Sequence, residues 1–126
     1  MLVAEGTERV RVLEWAPDDP YPRATVERAP DPAWDGDADH ALAAAIDAFR
    51  DVLAVATELG ADVDPGVLDL HGEPATDGWL LVGRAPVGPL DRHELLCAPT
   101  PSARLHLLAE QLADLRTVLA SRLRGG

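Results

Sequence analysis

The loop between the first two strand-like segments is where residue types most suggest chemistry. It reads W-A-P-D-D-P-Y-P-R-A-T-V-E, from Trp15 to Glu27, and it contains two adjacent aspartates. Two carboxyl groups could act as a general acid and base or bind a metal ion. Adjacent side chains, however, point in different directions, and Asp beside Pro is typical of turns, where its carboxylate accepts from nearby backbone N–H groups. We therefore interpret Asp18 and Asp19 as turn residues.

The four histidines do not follow a metal-binding pattern. His71 lies near Glu73 and His93 beside Glu94, but the chain has no H-E-x-x-H motif and no two histidines four residues apart. We predict no catalytic residue, no cofactor site and no metal site. A small metal-dependent hydrolase that uses scattered His, Asp and Glu residues is the minor alternative.

Lysine is absent and Cys97 is the only cysteine, so all 11 basic residues are arginines. A P-loop, a Ser–Lys dyad and a Schiff-base enzyme each need a lysine, so this chain alone can be none of them. A single cysteine excludes an intrachain disulfide and a Cys-based zinc site. Cys97 follows a short apolar segment and is expected to be a small buried hydrophobe. The exclusions remove several classes of enzyme, and we predict a protein that is not an enzyme.

Three aromatic residues in or beside the proline-rich connectors are the candidate partner-binding residues. They are Trp15, Tyr21 and Trp34. Aromatic side chains can anchor a peptide because they offer a large contact area at a low entropic cost. The alternative is structural: the same rings could cover the open edge of a sheet or the junction between sheet and helices.

The charge of the chain limits its partners. The formal net charge is -11, with a pI of about 4.5. A chain this acidic is expected to bind neither nucleic acid nor an anionic membrane surface, because both carry negative charge. The start, Met1 to Gly6, does not resemble a signal peptide, and no apolar run approaches the roughly 20 residues of a membrane span. We therefore predict a cytoplasmic protein.

Short alternating segments in the first third of the chain predict strands, and the two longer ones predict an antiparallel pair. The expected strands are residues 2–4, 9–15 and 23–28. Strict alternation in the second would put Val10 and Val12 on one face, and Arg9, Arg11, Leu13 and Trp15 on the other. Two or three strands do not make a stable sheet alone, so another element or another chain is expected to cover them.

The rest of the chain predicts helices. Apolar residues at steps of three and four indicate long helices over about 38–59 and 101–123, and a shorter one covers 90–97. Asp37 or Asp39 would cap the first, and Gly60 suits its left-handed C-terminal position. The apolar faces of the first helix (Leu42, Ile46, Phe49, Leu53, Ala56, Leu59) and the last (Leu105, Leu108, Leu112, Leu115, Leu119, Leu123) are expected to pack together. Trp79–Val82 fits either a strand or a helix.

Three segments occur in an order and spacing that point to a known family. They read E-G-T-E-R-V-R-V-L-E-W, D-D-P-Y-P-R-A-T-V-E and P-L-D-R-H-E-L-L-C-A-P-T-P-S-A-R-L-H-L-L-A-E-Q-L. Together they resemble the N-terminal, substrate-binding domain of Lon proteases, most closely its small stand-alone bacterial form, over about residues 2–124. In that family a short helix ends in a Leu-Leu pair and a long last helix begins near an Arg-Leu pair. Here the two pairs are Leu95-Leu96 and Arg104-Leu105.

The resemblance implies a particular α+β fold. The end of a PUA-like β-barrel half (residues 1–30, an incomplete sheet) would precede an α-helical bundle (residues 37–126), and together they would form one domain in which 79–82 is helical. Family members usually carry several strands before the E-G-T segment, so we expect the first strands to be missing. The implied function is recognition of a protein or peptide, without ATPase or protease domains. A homodimer that completes the sheet is the structural alternative.

Overall fold

The chain divides into two compact units, a hairpin unit, Met1–Asp31, and a helical unit, Pro32–Gly126. The structure is a computed structural model and describes residues 2–125. Two antiparallel strands and four helices confirm the predicted α+β class. The PUA-like barrel half and the assembly of both units into one domain stay predictions.

The hairpin unit contains the strands β1, Val10–Ala16, and β2, Arg23–Arg28. The prediction of a further strand at residues 2–4 is wrong, because this segment is irregular and Leu2 is 93% exposed. A short apolar segment becomes a strand only where a neighbouring backbone can accept its hydrogen bonds. Arg9 closes the open end of the hairpin, since its Nε donates to the carbonyl of Ala29 across 2.8 Å.

The helical unit contains α1, Ala38–Glu58; α2, Pro74–Arg84; α3, Pro89–Cys97; and α4, Pro101–Gly125. The helices predicted from periodicity are present, with ends that differ by one or two residues. Residues 79–82 lie in α2, as the family resemblance implied. Within residues 2–125, no helix is long and apolar enough to cross a membrane.

Local signals end α1 as predicted but do not start it as predicted. Gly60 has φ +90°, the left-handed conformation that favours glycine, and the N–H of Ala61 donates to the carbonyl of Ala56. Asp37 occupies the N-cap, but its side chain makes no capping bond. Its carboxylate instead contacts His106 Nε2 across 2.6 Å, which joins the start of α1 to the first turns of α4.

The core lies where α1 packs against α4, as predicted, but α1 is rotated from the expected face. Its buried positions are Ala38, Ala41, Ala45, Phe49 and Val52. The bulkier predicted residues Leu42, Ile46 and Leu53 are only half-buried. Small side chains at the centre of the contact let the two backbones approach closely. The fully buried residues of α4 are Leu105, Leu108 and Leu112.

Arginines complete the carboxyl ends of two helices. Arg92 donates to four carbonyls at the end of α2 and just beyond it, at distances of 2.8 to 3.4 Å. Arg104 is 3% exposed and donates to the carbonyls of Leu95 and Ala98 at the end of α3. The last carbonyls of a helix have no partner within it, and the planar guanidinium can reach several at once. Arginine thus has a structural role at these helix ends, because the compact ammonium group of lysine could not donate to several carbonyls in this way.

Candidate functional site

A β-bulge decides which residues share a face of the hairpin. Val12 pairs with Val26 and Trp15 pairs with Ala24, while Leu13, between them on β1, has no partner in the register. Directly paired residues of antiparallel strands lie on the same face. One extra residue therefore shifts the alternation of β1 and brings Trp15 onto the face of Val12.

This finding corrects the expectation that Trp15 lies opposite Val10 and Val12. Five apolar residues share one face with Arg28, the partner of Val10 at its end, and are called the hairpin apolar face: Val10, Val12, Trp15, Ala24 and Val26. No glycine or proline marks the bulge, so the sequence carries no signal for it. Only the pairing of β1 with β2 shows that the alternation of side chains along β1 shifts by one residue.

The hairpin apolar face is exposed to solvent in the chain. Trp15 is 70% exposed, and the three valines of the face are between 43% and 48% exposed. A single exposed apolar residue is ordinary, but several that are contiguous on one face of a sheet indicate a surface that another molecule covers. The arrangement can therefore take up an apolar segment.

Charge lies at one end of this face, where Arg28 pairs with Val10, and on the other face of the hairpin. Arg11 Nη1 contacts Glu27 Oε1 across 3.1 Å on the opposite face. Arg28, at the end of the apolar face, pairs with Glu8 across 3.6 Å. No carboxylate belongs to the apolar face itself. The face is thus suited to uncharged apolar side chains.

Both long edges of the hairpin carry backbone groups without a strand partner. Among residues 2–125, β1 pairs only with β2, and the sheet has two strands. Unpaired N–H and C=O groups along a strand edge can bind an added extended chain. An added strand would also place every second side chain on the same side as the hairpin apolar face.

The loop between the strands carries the remaining predicted residues of this unit. Tyr21 is 64% exposed, and its carbonyl accepts from the N–H of Asp19 across 3.2 Å. Asp18 and Asp19 lie in this exposed loop. Tyr21 thus belongs to the same unit as Trp15, and its role in partner binding stays a prediction.

Trp34 belongs to the helical unit. Its ring is half-buried against the core, 3.6 Å from where a Cβ on Gly78 of α2 would lie. Its indole N–H donates to Asp39 Oδ1 across 2.8 Å. Both interactions are structural, and a role for Trp34 in partner binding stays a prediction.

The other titratable residues do not come together into a site. In the described part of the chain, no three His, Cys, Asp or Glu side chains could jointly hold a metal ion. Cys97 is exposed, which corrects the expectation of a buried thiol, because α3 turns its Leu95 side inward and Cys97 outward. Its Sγ lies 3.4 Å from His93 Nε2, one helical turn earlier.

The start of α4 is fixed by an acidic side chain of the segment that precedes α1. The N–H of Ser102 donates to Asp35 Oδ2 across 3.0 Å, and this bond is the main cause that lowers the pKa of Asp35 below its ordinary value of 3.8. Thr100 Oγ1 accepts from the N–H of Ala103, so Thr100 caps the start of α4. These contacts stabilise α4 and leave the hairpin apolar face as the candidate site.

Comparison with known proteins supports the resemblance. The family model described as the ATP-dependent protease La (Lon) substrate-binding domain matches residues 1–114. A search of curated proteins found no significant match.

Proposed function

The chain belongs to the family of Lon substrate-binding domains, and we propose that it is a non-catalytic module that recognises polypeptides through the hairpin apolar face. The observation that carries the proposal is the contiguous exposed face made by Val12, Val26 and Trp15. The family supports substrate recognition in general. The geometry of the hairpin supports an extended apolar segment as the ligand.

Physical chemistry favours this type of ligand. Burial of a Val side chain contributes roughly 1.5–3 kcal/mol, and a central aromatic residue can contribute 2 kcal/mol or more to binding. Backbone pairing at the open edge would add hydrogen bonds that do not depend on the ligand's sequence. Such a surface would bind unfolded segments that expose alternating apolar residues, with little dependence on the rest of the ligand.

Two valine substitutions test the proposal directly. Val12→Thr and Val26→Thr keep the shape and the β-propensity but add a hydroxyl to the apolar face. We expect the full wild-type chain to bind fluorescently labelled, reduced and carboxymethylated α-lactalbumin, a permanently unfolded protein. We expect the double variant to bind about tenfold more weakly, measured by fluorescence anisotropy.

The control variant is Val3→Thr, because Val3 is 80% exposed and lies outside the hairpin apolar face. It should bind like the wild type. Circular dichroism would verify that all variants keep the same helix content. The proposal is wrong if the wild type does not bind the unfolded protein, or if the double variant binds as well as Val3→Thr.

A second candidate is a homodimer in which two hairpins pair edge to edge. The open strand edges favour it, since a second copy can supply the missing backbone partners. Sedimentation equilibrium at micromolar concentration would show a dimer that the double variant weakens. A monomer at all concentrations would exclude this candidate and leave the binding of polypeptides as the function of the surface.

The nature of the partner also follows from charge. A net charge of -11 opposes the binding of nucleic acid and of anionic membrane surfaces. We therefore propose a protein partner that the chain meets in the cytoplasm. Localisation of a fluorescently tagged chain to a membrane or to nucleic acid would contradict this part of the proposal.

A further inference from the structure

A groove in the helical unit lies between the start of α3 and the middle of α4. Its apolar part is formed by Val87, Leu115 and Val118, and its volume is about 220 Å³. Val118 is 50% exposed and Leu115 is half-buried, so the groove is open to solvent. Sites for whole small molecules usually measure about 300–1,000 Å³. This smaller groove is suited to one long side chain.

Two carboxylates line the same groove. Asp91 lies in the first turn of α3 and Asp114 on α4, and both are exposed. Within residues 2–125, neither has an ion-pair partner. Arg92, which follows Asp91, donates to the carbonyls at the end of α2, and Arg116, two residues after Asp114, forms an ion pair with neither carboxylate. The positive end of α3 is equivalent to about half a charge, which the two carboxylates outweigh.

Gln111 adds a polar group to the wall of the groove. Its Nε2 donates to the carbonyl of Asp91 across 3.1 Å. Its Oε1 is buried and accepts no hydrogen bond among the described residues. The bond from Gln111 to Asp91 joins α4 to the first turn of α3 and so holds the two walls of the groove together.

We propose that this groove binds an arginine or lysine side chain of a polypeptide, an inference that rests on the proposed recognition of polypeptides. The aliphatic stem lies on Val87, Leu115 and Val118, and the cationic end lies between Asp91 and Asp114. Long basic side chains bury their stems on apolar surface while the charge stays at the rim. The groove would thus select basic residues in ligands whose apolar segments bind elsewhere.

Nuclear magnetic resonance titration of the full ¹⁵N-labelled chain tests the proposal. The probes are acetyl-Gly-Arg-Gly-amide, its lysine counterpart, and a citrulline counterpart that has the same shape as the arginine peptide but no charge. We expect both basic peptides to shift the backbone resonances of residues 87–91 and 111–118. The citrulline peptide should bind about fivefold more weakly, and added salt should reduce the difference.

Matched variants separate the groove from general attraction to an acidic protein. Asp114→Asn should weaken the binding of the arginine peptide about threefold to fivefold. Glu110→Gln, one turn earlier on the exposed surface of α4, should leave its affinity unchanged. Asp114 is exposed on α4, so its substitution should not affect folding, and an unchanged ¹⁵N spectrum of the free variant would verify this.

The proposal is overturned if arginine and citrulline peptides bind equally, or if Asp114→Asn and Glu110→Gln have the same effect. It is also overturned if resonance shifts occur only outside the groove. The test of the hairpin apolar face uses different residues and a different ligand. If only the peptide titration fails, the groove proposal is overturned and the proposed function stands. If only the binding of unfolded protein fails, the proposed function is overturned.

Discussion

The guanidinium of Arg104 lies over the ring of Trp79, with 4.0 Å between Arg104 Cζ and the ring centroid. The same guanidinium donates to the carbonyls of Leu95 and Ala98, so one buried side chain joins α2, the end of α3 and the start of α4. A buried charge is tolerated only where hydrogen bonds and a favourable ring contact compensate for lost hydration. Arg104 therefore acts as a structural centre of the helical unit.

Arg104→Lys should lower the free energy of unfolding by about 2–3 kcal/mol, although the charge is kept. A lysine ammonium cannot reproduce the planar contact with Trp79 and the bonds to both carbonyls. Urea unfolding followed by circular dichroism measures the change. Arg116→Lys on the exposed surface of α4 is the control and should change stability by no more than about 0.5 kcal/mol. Equal stability of the two variants would contradict the assigned role.

Ala45→Leu should destabilise the helical unit by about 1–3 kcal/mol, because it adds volume to a packed contact. Ala45 is 0% exposed and belongs to the core cluster that contains Leu108. Thermal unfolding should show a lower midpoint for this variant. Ala43→Leu, at an exposed position of α1, should leave the midpoint nearly unchanged. If Ala43→Leu lowered the midpoint more than Ala45→Leu, α1 would be rotated toward the face expected from its leucines.

Asp35→Asn should reduce stability near neutral pH and have a smaller effect in acid. The folded-state pKa of Asp35 is lowered, chiefly by the N–H of Ser102. Its contribution is therefore present above the ordinary value of 3.8 and is lost as the pH falls through the lowered value. Urea unfolding at pH 7 and at about pH 3 should show the difference between wild type and variant narrowing.

The control for this experiment is Asp51→Asn, at an exposed position of α1. Its stability relative to the wild type should change little between the two pH values. A difference for Asp35→Asn that stays constant from neutral pH to acid would show that its carboxylate charge does not stabilise the start of α4.

Trp15→Ala should separate binding from stability. Trp15 is 70% exposed, so the substitution should change the free energy of unfolding by no more than about 0.5 kcal/mol. Because Trp15 lies on the hairpin apolar face, its loss should weaken binding to unfolded α-lactalbumin at least about tenfold. Tyr21→Ala and Trp34→Ala, measured in the same way, would test the other two predicted partner-binding residues. Full binding by Trp15→Ala would contradict a role for the face.

Local patterns predicted the elements of the fold well. The helices α1 and α4 follow from leucine periodicity, and Gly60 ends α1 with a positive φ. These features depend on residues a few positions apart, so the sequence carries their signal. The hairpin follows in the same way from two alternating segments. The prediction of a strand at residues 2–4 was wrong because a strand needs a neighbouring backbone, which the local pattern does not specify.

The candidate sites depend on contacts between distant positions. The sequence by itself determined the elements, the acidic charge and the family resemblance, because each is a property of composition or short-range pattern. Only the tertiary structure decided that Trp15 shares a face with Val26, since the bulge at Leu13 is visible only in the pairing of two strands. It likewise brought Asp91 and Asp114 to one groove, because the packing of α3 on α4, not their spacing in the chain, sets which carboxylates are neighbours.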